Sequence, residues 1–160
     1  MSQPETFILA LNQWITVFMH RSMQNMHRYA KESGYSMSQI FALNFIHHRG
    51  RCGVTDLGEG MGVSNAAASQ MLDKLAHQEM IERTEDPTDR RVKQITLTEK
   101  GTQVIKDSLF ARQSWFRELE QLLSEEERQL SISVLKTLTD KGKQLGAYET
   151  TNITQLNSNN

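Results

Sequence analysis

The side chains best suited to chemistry in this sequence are cations and amides that recognise other molecules without breaking bonds. Arg90, Arg91 and Lys93 are concentrated in one short charged segment, DPTDRRVK. Guanidinium and ammonium groups bind phosphate oxygens, and the planar arginine fork also pairs with the polar edges of bases. This segment is therefore a candidate surface for a polyanionic partner.

A second polar group lies about twenty residues upstream, in the segment SNAAASQMLDK. At helical spacing, the short, polar or basic residues of this segment fall opposite its apolar residues, Ala68, Met71, Leu72 and Leu75. Small residues let a helix approach a duplex closely, and amide side chains can pair with base edges. The predicted contacts on this helix are Ser64, which also caps it, Asn65, Ser69, Gln70 and Lys74.

The elements that position both groups occur in a recognisable order between Val54 and Gly101. The pattern predicts a short helix, a turn at Gly62, a second helix after Ser64, and two strands, Ile81 to Thr84 and Val92 to Leu97. This is the layout of a winged helix-turn-helix. In that layout the second helix enters the DNA major groove and the hairpin reaches the backbone or the minor groove.

The rest of the chain is predicted to be helical. Apolar residues recur at helical spacing from Phe7 to about Tyr29, and Gly34 ends this helix. Capping boxes formed by Ser36 with Gln39 and by Ser124 with Glu127 start two more helices, which run to about His47 and Leu145. Thr98 caps another helix, predicted to continue to Leu123.

The predicted fold class is mainly α, a winged helix-turn-helix with long N- and C-terminal dimerisation helices. The terminal helices carry more apolar surface than a small lobe can cover, and a two-fold homodimer would bury it. We expect an N-terminal dimerisation helix (1–34), a DNA-binding lobe (35–100), C-terminal dimerisation helices (101–146) and a flexible tail (147–160).

Composition sets limits on the function. The chain has 160 residues and a single cysteine, Cys52, with no apolar run of the length that a membrane span needs. We therefore expect a cytoplasmic protein without a membrane partner. Its net charge of −1 does not by itself favour nucleic acid, so the DNA interpretation depends on where the cations sit.

The segment DRRVKQITLTEKG, from Asp89 to Gly101, resembles the wing and the following helix start of the MarR family of transcriptional regulators. The preceding MGVSNAAASQMLDKLAHQEMIER is similar to that family's recognition helix and first wing strand. The resemblance implies that Asp89 orients a wing arginine and that Arg90 or Arg91 reaches toward the minor groove. It also implies a homodimeric regulator, a repressor of a pseudo-palindromic operator in double-stranded DNA.

Members of this family often bind small aromatic or lipophilic effectors between their dimer helices and DNA-binding lobe. The resemblance therefore implies release from DNA by such an effector, with a pocket lined by Trp14, Phe18, Phe45 and Trp115.

The chain departs from the family pattern in two places. Glu79 stands where the family usually has glycine, which disfavours a left-handed end to the recognition helix. Gly58 and Gly60 predict that the first helix of the motif is short or irregular. In addition, the alanines at positions 66 to 68 offer no hydrogen bonds, so direct base readout should be sparse.

Other interpretations remain open at this stage. Cys52 could make the protein a redox-sensing regulator, although free cysteines are commonly small buried hydrophobes. The histidines lack a persuasive ligand spacing, and no catalytic motif is present, so we expect no metal, no cofactor and no enzyme activity. The alternatives are a winged-helix module that binds proteins rather than DNA and an enzyme that uses this fold as a scaffold.

Overall fold

A computed structural model describes residues 6–85 and 93–145, and these residues are predominantly helical. The chain divides into two compact units, residues 1–113 and 114–160, and each is described by itself. The first unit contains α1 (Phe7–Ser33), α2 (Met37–Arg49), α3 (Val54–Met61), α4 (Asn65–His77), β1 (Ile81–Glu85), β2 (Lys93–Leu97) and α5 (Glu99–Gln113). The second contains α6 (Trp115–Leu122) and α7 (Glu125–Lys143). The prediction of a mainly α fold with a helix-turn-helix and a two-stranded hairpin is confirmed.

Local signals in the sequence define several helix ends. Gly34 follows α1 with a left-handed backbone, φ 76°. In α2 the Ser36 hydroxyl accepts from the Gln39 amide and the Gln39 side chain accepts from the Ser36 amide, so the predicted capping box is present. Ser124 and Glu127 form the same box at the start of α7. Each box satisfies two backbone donors that a helix start otherwise leaves unpaired.

The prediction of one helix from Thr98 to Leu123 is wrong. The chain forms α5 and α6, interrupted at Ser114. Ser114 keeps helical dihedrals, φ −56° and ψ −33°, so the apolar periodicity continues across the break. Serine is a weak helix former because its hydroxyl competes for backbone groups, but that signal is too small to locate a one-residue interruption.

The core of the first unit joins α2, α3, α4, α5 and the hairpin. Its fully buried members include Leu43, Leu57, Leu72, Leu75 and Ile95. Leu72 and Leu75 form the inner face of α4, which fixes the opposite face of that helix toward solvent. Within the described residues, no helix is both long and apolar enough to cross a membrane.

The hairpin pairs β1 and β2 in antiparallel register, from Ile81 opposite Leu97 to Glu85 opposite Lys93. Cys52 extends this sheet by one residue, since the backbone groups of Cys52 and Ile95 hydrogen-bond in both directions, at 3.4 and 2.9 Å. The middle of β2 is thereby held to the segment between α2 and α3.

The end of α4 has a left-handed residue despite the absence of glycine. Glu79 has φ 59°, contrary to the expectation from its side chain. The Met80 amide donates to the Leu75 carbonyl and the Glu79 amide donates to the Ala76 carbonyl, both at 2.9 Å. These two bonds are the Schellman arrangement, and Met80 and Leu75 lie fully buried in one core. Together the bonds and burial offset the cost of the glutamate backbone.

The segment Leu97 to Gly101 closes over this helix end. The Thr98 hydroxyl donates to the Glu79 carbonyl at 2.7 Å and accepts from the Gly101 amide at 3.1 Å, which caps α5. The Thr98 amide donates to the Met80 carbonyl at 3.1 Å. A Cβ atom on Gly101 would lie 2.1 Å from that same carbonyl oxygen, so only glycine fits here.

Replacing Glu79 by glycine should stabilise the protein. A side chain at φ 59° costs about 1 kcal/mol, and glycine removes that cost. The Lys100–Glu79 pair is exposed and 3.9 Å apart, so its loss should matter little. We expect Glu79→Gly to raise Tm by about 2–4 °C in thermal unfolding followed by circular dichroism. Glu79→Ala, which removes the carboxylate but keeps Cβ, is the control; an equal gain in both variants would contradict the strain argument.

Candidate nucleic-acid interface

The turn before α4 is built around Ser64. Its backbone is extended, and its hydroxyl accepts from the Ala67 amide at 3.2 Å, so Ser64 is the N-cap of α4. Gly62 supplies the left-handed residue that reverses the chain after α3, with φ 65°. The predicted contact residue Ser64 is therefore first a structural cap, although the residue remains exposed.

The two sides of α4 differ sharply. Ala68, Leu72 and Leu75 are fully buried and form its inner face. We call the exposed residues opposite them the outer face; they are Ala66, Gln70, Asp73, Lys74 and His77. Their spacing of three and four residues places them on one side of the helix. The outer face thus contains Gln70 and Lys74, as the sequence predicts. It also contains Asp73 and His77, which are not among the predicted contacts.

The other predicted residues of α4 lie at the flanks of this face. Asn65 is exposed, but its Oδ1 atom lies 2.8 Å from the position that a Cβ on Gly58 would take. Asn65 therefore covers Gly58 of α3. Ser69 is half-buried. Gly60 allows a still closer contact, because a Cβ there would lie 2.0 Å from the Phe45 ring.

The wing residues Asp89, Arg90 and Arg91 lie outside the described residues. What the structure describes is the stem that carries them. On β1, Arg83 Nη2 forms a salt bridge with Asp73 Oδ1 at 2.6 Å. The hairpin is therefore attached to α4 through side chains as well as through the backbone at Met80.

A polar cleft of about 510 Å³ lies beside the C-terminal half of α4, lined by Gln39, Asp73, Lys74, His77 and Gln78. Gln39 is buried and uses both ends of its amide. Its Oε1 accepts from the Ser36 amide at 2.8 Å, and its Nε2 donates to Gln78 Oε1 at 2.6 Å. Since Gln78 is the C-cap of α4, this amide joins the start of α2 to the end of α4.

The aromatic residues predicted to line an effector pocket occupy different environments. The rings of Trp14 and Phe18 on α1 are 6.5 Å apart. Phe45 lies over Gly60 and carries the Arg49 guanidinium 5.8 Å from its ring centroid. Trp115, in the second unit, is buried and meets Phe116 edge to face at 4.9 Å. None of these contacts tests the effector pocket, which therefore stays a prediction.

Cys52 is buried, and its environment opposes thiolate formation. Burial, and to a lesser extent the Asp56 carboxylate, raise the pKa of the thiol, while Arg49 lowers it only partly. Because the thiolate is the reactive form, this geometry does not favour a sensing role. Within residues 6–85 and 93–145, no three histidine, cysteine or acidic side chains are grouped to hold a metal ion.

The Cys52 environment can be tested by thiol labelling. We expect the native thiol to react with a thiol-specific disulfide reagent at neutral pH at least ~10-fold more slowly than the same thiol in urea. Raising the pH should speed the native reaction, because the raised pKa leaves the group protonated at neutral pH. Native labelling as fast as in urea would show that the thiol is accessible and would reopen redox sensing.

Comparison with known proteins gives a consistent set of relatives. The sequence pattern of the MarR family matches residues 35–93. The chain is 30% identical over 127 residues to the HTH-type transcriptional repressor MdtR of Bacillus subtilis, covering 79% of this chain and 77% of that protein.

Two solved structures show the same fold. The transcriptional regulator Tm0710 of Thermotoga maritima superimposes with a TM-score of 0.78 at 20% identity, covering 84% of this chain and 95% of that one. A MepR mutant of S. aureus bound to an oligodeoxyribonucleotide has a TM-score of 0.60 at 24% identity, covering 85% and 99% of the two chains.

Proposed function

The chain belongs to the MarR family of transcriptional regulators, and we propose that it acts as a homodimeric repressor that binds a pseudo-palindromic operator and is released by a small-molecule effector. The observation that carries this proposal is the outer face of α4. It is exposed along the whole helix, while the opposite face is fixed in the core. A helix supported in this way can enter the major groove without losing its packing.

Two side chains on the outer face have distinct roles in the proposed complex. The Gln70 amide can donate and accept at once, which suits the paired donor and acceptor of an adenine edge. The Lys74 ammonium suits a phosphate, and it lies one turn further along the helix. Ser64, Asn65 and Ser69 would contribute at the start and flank of α4. A similar fold in MepR is found on an oligodeoxyribonucleotide, which supports this placement.

The wing supplies the second proposed contact. In sequence, Asp89, Arg90 and Arg91 fall between β1 and β2, and the backbone holds this strand pair at Met80 and at Cys52. An arginine presented from such a hairpin would enter the minor groove, where narrow A·T-rich segments concentrate negative potential. Readout would then depend on DNA shape as well as on base edges, as the alanines of α4 require.

The proposal of a homodimer rests on exposed apolar side chains in both units. On α1 they include Phe7, Ile8, Leu9, Trp14, Ile15, Val17 and Met19. On α7 they include Leu130, Ile132, Val134 and Leu135. Runs of this kind are costly in water and mark association surfaces. A two-fold dimer would also place two copies of α4 about one helical turn of DNA apart, roughly 34 Å.

We further propose that a small aromatic or lipophilic effector binds among Trp14, Phe18, Phe45 and Trp115. Phe45 is the informative member, since its ring lies on Gly60 of α3 and would transmit a displacement to the helix-turn-helix. Release follows if the effector binds more tightly to a dimer whose α4 helices no longer fit adjacent major grooves.

DNA binding is tested with a labelled duplex from the region upstream of this gene, by fluorescence anisotropy at several salt concentrations. We expect tight binding that weakens steeply with salt. Gln70→Ala should weaken binding by about 5–10-fold and relax base preference, whereas Arg91→Ala should weaken binding to all sequences and reduce the salt slope by about 1. Lys31→Ala, which removes an exposed cation on α1, is the control and should bind within about 2-fold of wild type.

Unchanged affinity in both Gln70→Ala and Arg91→Ala would show that the contact residues are wrongly assigned. No duplex binding by the wild-type protein, even at low salt, would instead favour the protein-binding module.

The dimer is tested by a charge on α7. Val134 is 47% exposed, and Val134→Glu would place an unpaired carboxylate in the proposed apolar interface. We expect this variant to shift toward monomer in light scattering coupled to size exclusion and to bind DNA at least about 10-fold more weakly. Gln129→Glu adds the same charge on the opposite side of α7 and should stay dimeric. A dimeric Val134→Glu protein would place the interface elsewhere.

A further inference from the structure

The salt bridge between Asp73 and Arg83 links α4 to the hairpin, the two elements that would contact DNA. Asp73 belongs to the outer face of α4, and Arg83 lies in the middle of β1, opposite Ile95. Arg83 Nη2 and Asp73 Oδ1 are 2.6 Å apart, the separation of a charge-assisted hydrogen bond. Neither partner is deeply buried, since the side chains are 33% and 61% exposed.

The position of Asp73 is unexpected for a helix that enters a polyanion. It lies on the same side of α4 as Gln70 and His77, three residues from the first and four from the second. A lone carboxylate there would repel phosphates. Pairing with Arg83 compensates that charge, so the carboxylate remains compatible with DNA while it links α4 to the hairpin.

The hairpin needs such an attachment. Its strands are five residues each, and a two-stranded hairpin is marginally stable by itself. The turn through Met80 joins the base of β1 to α4, and Cys52 holds the middle of β2 at Ile95. Arg83 lies opposite Ile95 and reaches α4 through its side chain. Because the Cys52 bonds tie the hairpin to the segment before α3 and not to α4, the salt bridge restrains the angle between the hairpin and α4 beyond the turn.

We propose that Asp73 and Arg83 are positioning residues for DNA binding: their salt bridge holds the hairpin at the angle to α4 at which both elements contact the duplex together. The inference rests on the proposed function and adds to it a role for an acidic residue on the DNA-facing helix. Exposed ion pairs contribute little to global stability, so the pair acts on geometry rather than on folding.

The direction in which one substitution changes DNA affinity separates positioning from simple electrostatics. Asp73→Asn removes a negative charge from the outer face, so Coulomb attraction alone predicts tighter DNA binding. Positioning predicts the opposite. We expect Asp73→Asn to bind the upstream duplex about 5–10-fold more weakly, with a shallower dependence of affinity on salt because the hairpin makes fewer phosphate contacts. Equal or tighter binding would overturn the proposal.

A double-mutant cycle separates positioning from direct contact by Arg83. If the two side chains act only through each other, Arg83→Gln and Asp73→Asn should weaken binding to a similar extent, and the double variant should be no weaker than either single variant. Loss confined to Arg83→Gln, with Asp73→Asn at wild-type affinity, would make Arg83 a phosphate ligand and overturn the proposal.

Two controls complete the experiment. Glu82→Gln removes an exposed carboxylate from the same strand, outside the ion pairs of the described residues, and should bind at least as tightly as wild type. All variants should unfold within about 2 °C of wild type, because the pair is exposed; a larger drop for Asp73→Asn would make the pair a folding element and overturn positioning. Wild-type protein without duplex binding would overturn the proposed function itself, whereas tight wild-type binding with an unaffected Asp73→Asn would overturn this inference alone.

Discussion

The left-handed turn at Glu79 is the constraint on which the rest of the first unit depends. It ends α4, starts β1, and offers the Glu79 and Met80 carbonyls to Thr98 at the start of α5. Gly101 has no Cβ, so α5 can approach the Met80 carbonyl closely. The consecutive elements α4 and β1 and the more distant α5 are thus fixed at one point. Because the direction of the hairpin is set where α4 ends, this turn also determines where the wing leaves the helix that would read DNA.

The outer face of α4 explains how a chain with a net charge of −1 can be a DNA-binding protein. Bulk charge is not what matters, since the relevant potential is local and screened within about 8–10 Å at physiological salt. On the outer face the Asp73 carboxylate is compensated by Arg83, which leaves Lys74 as a cation next to the Gln70 amide. With Ala66 offering only its methyl group, this surface suits close approach better than many hydrogen bonds, so in the proposed complex the shape of the duplex would contribute to selection.

Short-range signals made most of the helix order predictable. Gly34 and the boxes at Ser36 and Ser124 act within four residues, so the sequence alone locates those helix ends. Contacts between residues that are distant in sequence could not be predicted in the same way. The left-handed backbone at Glu79 depends on Leu75, Thr98 and burial of Met80, and the Asp73–Arg83 pair depends on the angle between a helix and a strand. Helical spacing could have placed Asp73 on the outer face, but the predicted contacts did not include it.

The amide of Gln39 connects the C-terminal end of α4 to the start of α2. Its Oε1 completes the cap at Ser36, three residues after the end of α1, and its Nε2 donates to the C-cap residue of α4 at 2.6 Å. A hydrogen bond tolerates only a few tenths of an ångström before it weakens. A displacement of the start of α2 at Ser36 must therefore either carry the end of α4 with it or break the hydrogen bond of the buried Gln39 amide. An unpaired buried amide is costly. Because the Glu79 turn lies one residue beyond Gln78, this hydrogen bond also lies next to the point where β1 leaves α4.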